Sequence, residues 1–258
     1  MQIARWISLG LASAIAGAIN SVAGGGTLIS FPAAISLGLT PVCANATNTV
    51  ALVPGTLASA LAYRRELVQD KNWLLPLFLP ALLGGLLGAF LVLAAPASVF
   101  ETLVPWLVFG ATMLILFKGP LLKRLGAQGP PSRLRVFAVG VGILLMGIYG
   151  GYFGAGIGII TLATLSLLMP MDIHTMNARK TLLASIVNGA AATLFIARGT
   201  ANLSAAGVMT LGSIAGGYFG ARIARRINAR YVSALVVAIG LALTVLLLYR
   251  GVGLAQGR

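Results

Sequence analysis

"INSVAGGGTLISFP", residues 19–32, decides how the chain is read. Gly24, Gly25 and Gly26 stand side by side in an apolar run, with Asn20 and Ser21 before them and Thr27 and Ser30 after. Each Gly in place of Ala costs a helix about 1 kcal/mol, so this run predicts a break. The surroundings say what kind of helix is broken. No Asp, Glu, Lys or Arg occurs from Trp6 to Tyr63. The stretches Asn72–Phe100, Thr102–Phe117, Val136–Met171, Thr181–Ala197, Gly199–Ala221 and Tyr231–Tyr249 are equally free of charge. Such spans have the length a helix needs to cross a bilayer, about 20 residues.

Composition agrees. Of the 258 residues 59% are hydrophobic and 9% charged, with a mean hydropathy of +0.98. A soluble domain carries about 25% charged residues, so this chain cannot cover a globule in water. It reads as an all-α polytopic membrane protein. The net charge of +14 sits mostly in short loops and helix ends, as loop charge on the cytoplasmic side does, and no nucleic-acid motif accompanies it. The N-terminus "MQIARWISLGLASAIAGA" has the look of a signal peptide, but the later spans make it the start of the first membrane helix. One cysteine, Cys43, and one histidine, His174, leave no disulfide pair, multi-cysteine metal site or nucleophilic triad. The acids Glu66, Asp70, Glu101 and Asp172 lie at or near span edges. No enzyme, cofactor or metal is expected.

The chain matches itself when its second half is laid on its first at one constant offset. Gly24 and Gly26 then fall on Gly156 and Gly158, "NATN" at 45–48 on "NARK" at 177–180, and "GGLLGA" at 84–89 on "GGYFGA" at 216–221. Two homologous repeats follow, residues 1–117 and 136–258, joined by a basic cytoplasmic linker at 118–135 whose Gly, Pro and charge suit a connection. Each repeat opens with an apolar segment cut by glycines, Ile3–Leu39 and Val136–Met169. Both are too long for one upright crossing and short for two, which predicts a glycine-broken helix or hairpin. Spans at about 43–63, 74–94 and 101–117, then 175–197, 203–222 and 231–249, complete some 8–10 membrane elements. If each opening segment returns to its starting side, the repeats are inverted. The basic loops 64–71, 118–135 and 222–230 then share the cytoplasmic face. Arg5, Arg250 and Arg258 remain outside in that arrangement.

Non-helical backbone at membrane depth is tolerated where it is buried in protein or lines a polar cavity. In repeat-built transporters, broken helices meet at the repeat interface and their half-helix N-termini face anionic substrate groups. The breaks, with Asn20, Ser21, Gly24, Gly25, Gly26 and Thr27 in one half and Gly154, Gly156 and Gly158 in the other, are therefore candidate binding elements. Polar residues within spans are expensive and point to function. This adds Asn45, Thr47 and Asn48, and their counterparts Asn177, Arg179 and Lys180, at the start of the span after each break. Lys180 suits an anion best; Arg179 is open to interfacial snorkelling as well. Asn188 and Ser59 read as inter-helix hydrogen-bonding residues, His174 as a loop residue, and the glycines at 84, 85, 88, 216, 217 and 220 as helix-packing positions.

At these motifs the chain resembles the sulfite exporter TauE/SafE family of membrane permeases. The residues that carry the likeness are "GAINSVAGGGTLISFPAAISLGLTPVCANATNTVALVPGTLASALAYRRE" in the first half. In the second they are "GYFGAGIGI" and "MNARKTLLASIVNGAAATLFI". The resemblance implies a multi-pass plasma-membrane carrier that exports small sulfur-containing anions such as sulfite or organosulfonates. The residues themselves lead to a membrane carrier with an anion site; sulfur comes from the resemblance. A secondary transporter is the leading reading, with the lipid bilayer as surroundings and a homo-oligomer possible through Gly-rich faces. An anion channel, or a permease for another small organic anion, is the alternative; a membrane subunit docking a partner leaves the polar breaks without a purpose. No Walker motif is present, so coupling falls to an ion gradient, the membrane potential or the substrate's own gradient.

Overall fold

The computed structural model describes residues 2–67, 71–125, 132–167, 173–223 and 229–256. Parts of the three basic loops, with Asp70, Arg225 and Arg226, lie outside the described residues, as do Asp172 and Arg258. Among the described residues every regular element is an α-helix, and the elements fall in two series of the same order. The first contains α1 (Gln2–Val22), α2 (Thr27–Ser36), α3 (Pro41–Ala62), the single turn α4 (Arg64–Leu67), α5 (Lys71–Ala94) and α6 (Ala97–Leu116). A short helix α7 (Lys118–Leu125) leads into the second: α8 (Arg133–Tyr152), α9 (Ile157–Ser166), α10 (Ile173–Ala197), α11 (Leu203–Ile223) and α12 (Ala229–Gln256).

Six helices, α1, α5, α6, α8, α10 and α12, are long and apolar enough to cross a membrane. Helices α3 and α11 have the length, 22 and 21 residues, but carry more polar and small residues; α3 is largely buried, while α11 exposes Leu203, Leu211 and Phe219 on its outer face. The lipid-facing surface is supplied by the outer helices: Ile3, Ile7, Leu11 and Ile15 of α1 recur every four residues and are all exposed, the stripe a helix presents at that spacing.

The short helices α2 and α9 have ten residues each, roughly 15 Å of rise, or half a hydrocarbon core. Both double back on the helix before them. Gly26 packs on the backbone of Ala16, while Gly142 meets Thr164 and Gly150 meets Ile157. The opening segments are hairpins whose returning arm stops half-way. The packed aromatic rings of Phe31 and Phe153, 5.4 Å apart and edge to face, tie one hairpin to the other.

Glycines set the helix contacts. Gly84 and Gly88 of α5 lie against the backbone of α8, Gly85 against Val187 of α10, and Gly212, Gly216 and Gly217 of α11 against α1 and α3. A Cβ at any of these would collide with a neighbouring backbone, so the close approach needs small residues. The contacts also give directions. Along α1 and α11, Gly10 meets Val208 and Gly17 meets Gly217; along α5 and α8, Gly84 meets Leu144 and Gly88 meets Ile148. Each pair is therefore parallel. Helix α3 is parallel to α11 too, since Thr47 meets Asn202 and Gly55 meets Ser213. The short connection after α3 reverses the chain into α5, so α8 runs opposite to α1.

The register of the two series differs from the sequence match at the breaks. Helix α1 ends at Val22 where α8 ends at Tyr152, and α2 begins at Thr27 where α9 begins at Ile157. Gly24 thus corresponds to Gly154 and Gly26 to Gly156, whereas the sequence match pairs them with Gly156 and Gly158. "NATN" in α3 and "NARK" in α10 keep the offset of the sequence match. His174 lies in the first turn of α10 and not in a loop.

Candidate functional site

The last amides before each break are closed in the same way. Ala23 and Gly24 both donate to the Ile19 carbonyl, at 2.8 and 3.0 Å, and Phe153 and Gly154 both donate to the Tyr149 carbonyl, at 2.9 and 3.2 Å. The chain then turns at Gly24 (φ +72°) and Gly154 (φ +79°), the left-handed conformation that a side chain disfavours. Beyond the turn the halves diverge. In the first, Asn20 Oδ1 accepts from the amides of Gly25 (3.1 Å) and Gly26 (2.7 Å), so the start of α2 is already supplied with an acceptor. In the second, α9 starts at Gly156 with no side-chain cap. Tyr149 OH donates to the Ala155 carbonyl instead, which leaves the positive end of α9 open.

Each opening helix is held at its C-terminal end by a side chain of the other series. Lys180 Nζ donates to the carbonyls of Asn20 (3.1 Å) and Ser21 (3.3 Å) and to Asn177 Oδ1 (3.0 Å). Asn45 Nδ2 donates to the Tyr152 carbonyl at 3.0 Å. A cation at a helix C-terminus is favourable, but Lys180 is 1% exposed and all three of these acceptors are neutral oxygens. A buried charge without a counter-ion costs several kcal/mol.

The breaks meet in the middle of the bundle. A Cβ added to Gly158 would lie 3.1 Å from Gly24 Cα and 3.1 Å from Lys180 Cδ. Next to this contact is a cavity of about 20 Å³, room for the order of one water molecule. Of the residues expected from the sequence, Asn20, Ser21, Gly24, Thr27, Gly154, Gly158 and Lys180 line it. Gly25, Gly26, Asn45, Thr47, Asn48, Gly156, Asn177 and Arg179 do not. They stand one layer back: Asn177 steadies Lys180, Thr47 Oγ1 accepts from the Asn202 amide (2.9 Å) at the start of α11, and Arg179 is 5% exposed.

The cavity also takes in Gly17, Gly55, Thr56, Ser59, Thr181 and Asn188. Ser59 and Asn188, which the sequence presents as helix-to-helix hydrogen-bonding residues, line the cavity instead, and Ser59 Oγ is buried with no hydrogen-bond partner. Their positions on the same helices as "NATN" and "NARK" are the one signal in the sequence that could have placed them here. Chemically the site offers the Lys180 amine, an open helix start, hydroxyls from Thr27, Ser59 and Thr181, and the Asn188 amide. None of its described lining residues is a carboxylate. That set can bind a small anion.

The pattern of the sulfite exporter TauE/SafE family matches residues 9–247. The chain belongs to that family. Its curated relatives include a "Probable membrane transporter protein" of Haemophilus influenzae, 26% identical with 91% of each chain covered. They also include "Probable membrane transporter protein ORF9" of a Sinorhizobium species, 29% identical over 92% of this chain and 90% of its own. A third is "Probable membrane transporter protein YfcA" of Escherichia coli K12, 27% identical over 91% and 86%. No solved structure matches. As a TauE/SafE family member the protein is a multi-pass membrane transporter, and the two hairpins are where its chain departs from simple crossings.

Proposed function

We infer that the protein is a secondary transporter of small sulfur-containing oxyanions, sulfite or organosulfonates, in the plasma membrane, working as an exporter. The observation that carries this reading is the buried Lys180 beside the uncapped start of α9. Helix starts bind anions through their free amides and dipole. Because the three Lys180 donors are engaged on α1 and Asn177, its contribution is charge, while first-turn amides and the hydroxyls of Thr27 and Ser59 supply the direct bonds. The sulfur in the substrate rests on the family's description. A cavity this small between two hairpins favours a carrier over an anion channel. The opposed directions of α1 and α8 fit alternating access by one repeat rocking against the other.

The test is uptake of radiolabelled sulfite into proteoliposomes, with thiosulfate, a sulfonate, sulfate and acetate as competitors. Saturable uptake blocked by sulfur oxyanions and spared by acetate is expected. Lys180→Gln leaves a shorter, uncharged amide donor at this position, and it should lower uptake at least about tenfold, the effect of roughly 1.4 kcal/mol, in a protein that still folds. Full uptake in that variant places the anion elsewhere. No uptake of any sulfur oxyanion removes the substrate class and leaves the transporter family standing.

A further inference from the structure

The C-terminal ends of α1 and α8 are related to each other, yet they are furnished differently. At α1, the Lys180 ammonium is held by the Asn20 and Ser21 carbonyls and Asn177 Oδ1. The register that pairs Val22 with Tyr152 carries Asn20 and Ser21 onto Gly150 and Gly151. The sequence match of "NATN" with "NARK" carries Asn177 onto Asn45 and Lys180 onto Asn48. The second end therefore has a related frame: Asn45 and Asn48 stand at the positions of Asn177 and Lys180, and Asn45 reaches the last-turn carbonyl of Tyr152.

That second frame has acceptors and too few donors. Asn45 sits on the helix end, donating to the Tyr152 carbonyl, which fixes which way its amide points. Its Oδ1 and that of Asn48 are both buried and neither has a hydrogen-bond partner; the two residues are 0% and 1% exposed. Asparagines three residues apart share one helix face, and buried acceptors are rarely left unmade because the loss of water is costly. Asn45 abuts the negative end of the α8 dipole.

We propose that Asn45, Asn48 and the last-turn carbonyls of α8 form a binding site for a dehydrated alkali-metal cation, the free counterpart of the tethered Lys180 ammonium. Neutral carbonyl oxygens are hard ligands suited to such ions, and broken membrane helices hold sodium with their C-terminal carbonyls. No cluster of His, Cys, Asp or Glu able to hold a metal exists among the described residues, which points to a monovalent ion and away from a divalent or transition metal. The ion would give the second half the positive charge that Lys180 gives the first, and it supplies a gradient for coupling. The site stands on α3 and α8 alone and does not depend on the anion reading.

The experiment uses the purified full-length protein in detergent with no anionic substrate, choline chloride replacing alkali chloride at constant ionic strength. Equilibrium binding of ²²Na⁺ and the unfolding temperature are measured, with unlabelled KCl and LiCl as competitors to give the order of preference. Saturable ²²Na⁺ binding and an unfolding temperature that rises with sodium are expected. Asn48→Ala and Asn45→Ala should weaken binding at least tenfold. Asn48→Lys puts an ammonium in the second frame as in the first; it should abolish ²²Na⁺ binding while yielding a folded protein whose unfolding temperature ignores sodium. Lys180→Gln should keep ²²Na⁺ binding even where it loses sulfite uptake, which separates this site from the anion site. The proposal is overturned by a wild-type protein that neither binds ²²Na⁺ saturably nor responds to any of the three cations. It is equally overturned if folded Asn48→Lys binds ²²Na⁺ as the wild type does.

Discussion

Asn20 occupies the place that a bound anion takes at many helix starts. Its Oδ1 receives the Gly25 and Gly26 amides, and its own carbonyl holds Lys180, so one residue joins α1, the break and α10. Asn20→Ala leaves two amides without an acceptor, a loss of about 1–3 kcal/mol for each that stays out of reach of water, and should lower the unfolding temperature clearly. Asn20→Asp keeps the acceptor and sets a carboxylate beside the Lys180 charge. It should unfold close to the wild type yet lose sulfite uptake, because the charge the anion needs is already neutralised. If both variants unfold alike, the amide bonds are not what holds the break. Asn20 and Lys180 are legible in the sequence because each is polar in a long apolar stretch. Ser59 is not: a serine on a membrane helix commonly bonds back to its own helix, as Ser185 does to Thr181, and only the packing of α3 against the breaks turns Ser59 Oγ into the cavity.

At the scale of the helix, close packing decides which glycines matter. An added Cβ at Gly88 would collide with the Ile148 carbonyl and the Tyr152 amide of α8, whereas Gly110 of α6 has open space around it. Gly88→Leu should thus force α5 away from α8 and destabilise by about 1–3 kcal/mol or more, the range for overpacking, while Gly110→Leu should unfold at the wild-type temperature. Thermal unfolding in detergent, followed by size-exclusion chromatography, distinguishes them; equal loss in both would mean that helix propensity and not contact sets the effect. The spans themselves are readable from charge-free stretches, and their helices agree with the sequence limits to within four residues except that α12 continues past 249 to Gln256. For the half-length arms α2 and α9 the sequence does not choose between broken helix and hairpin, since apolar length does not say which way a chain turns after a glycine. The change of register at the breaks escapes it for a related reason: glycine-rich segments match one another at neighbouring offsets, and only where α2 and α9 begin fixes the correspondence.

For the whole molecule, the parallel pairing of α1 with α11 and of α5 with α8 fixes the internal directions and leaves the orientation in the bilayer to charge. The ends of α3, α6 and α11 and the starts of α5, α8 and α12 then form one set on one side, and residues 95–96 and 198–202 a second set on the other. Arg64, Arg65, Lys118, Lys123, Arg124, Arg133 and Arg135 lie on or beside the first set; Arg198 is the one basic residue in the second. Short loops rich in Lys and Arg remain cytoplasmic, so the first set should face the cytoplasm. Cys43 is the protein's single cysteine, and a Cys43→Ser background makes that orientation measurable with one introduced thiol at a time. Ser132, which caps α8, and Ser98, at the start of α6, are both exposed and at opposite ends of a crossing. A membrane-impermeant maleimide should label Ser98→Cys in intact cells and Ser132→Cys only in inside-out vesicles. The reverse pattern would put the basic loops outside and invert the direction in which each hairpin faces, while labelling of both from one side would break the parallel pairing on which the opposed hairpins rest.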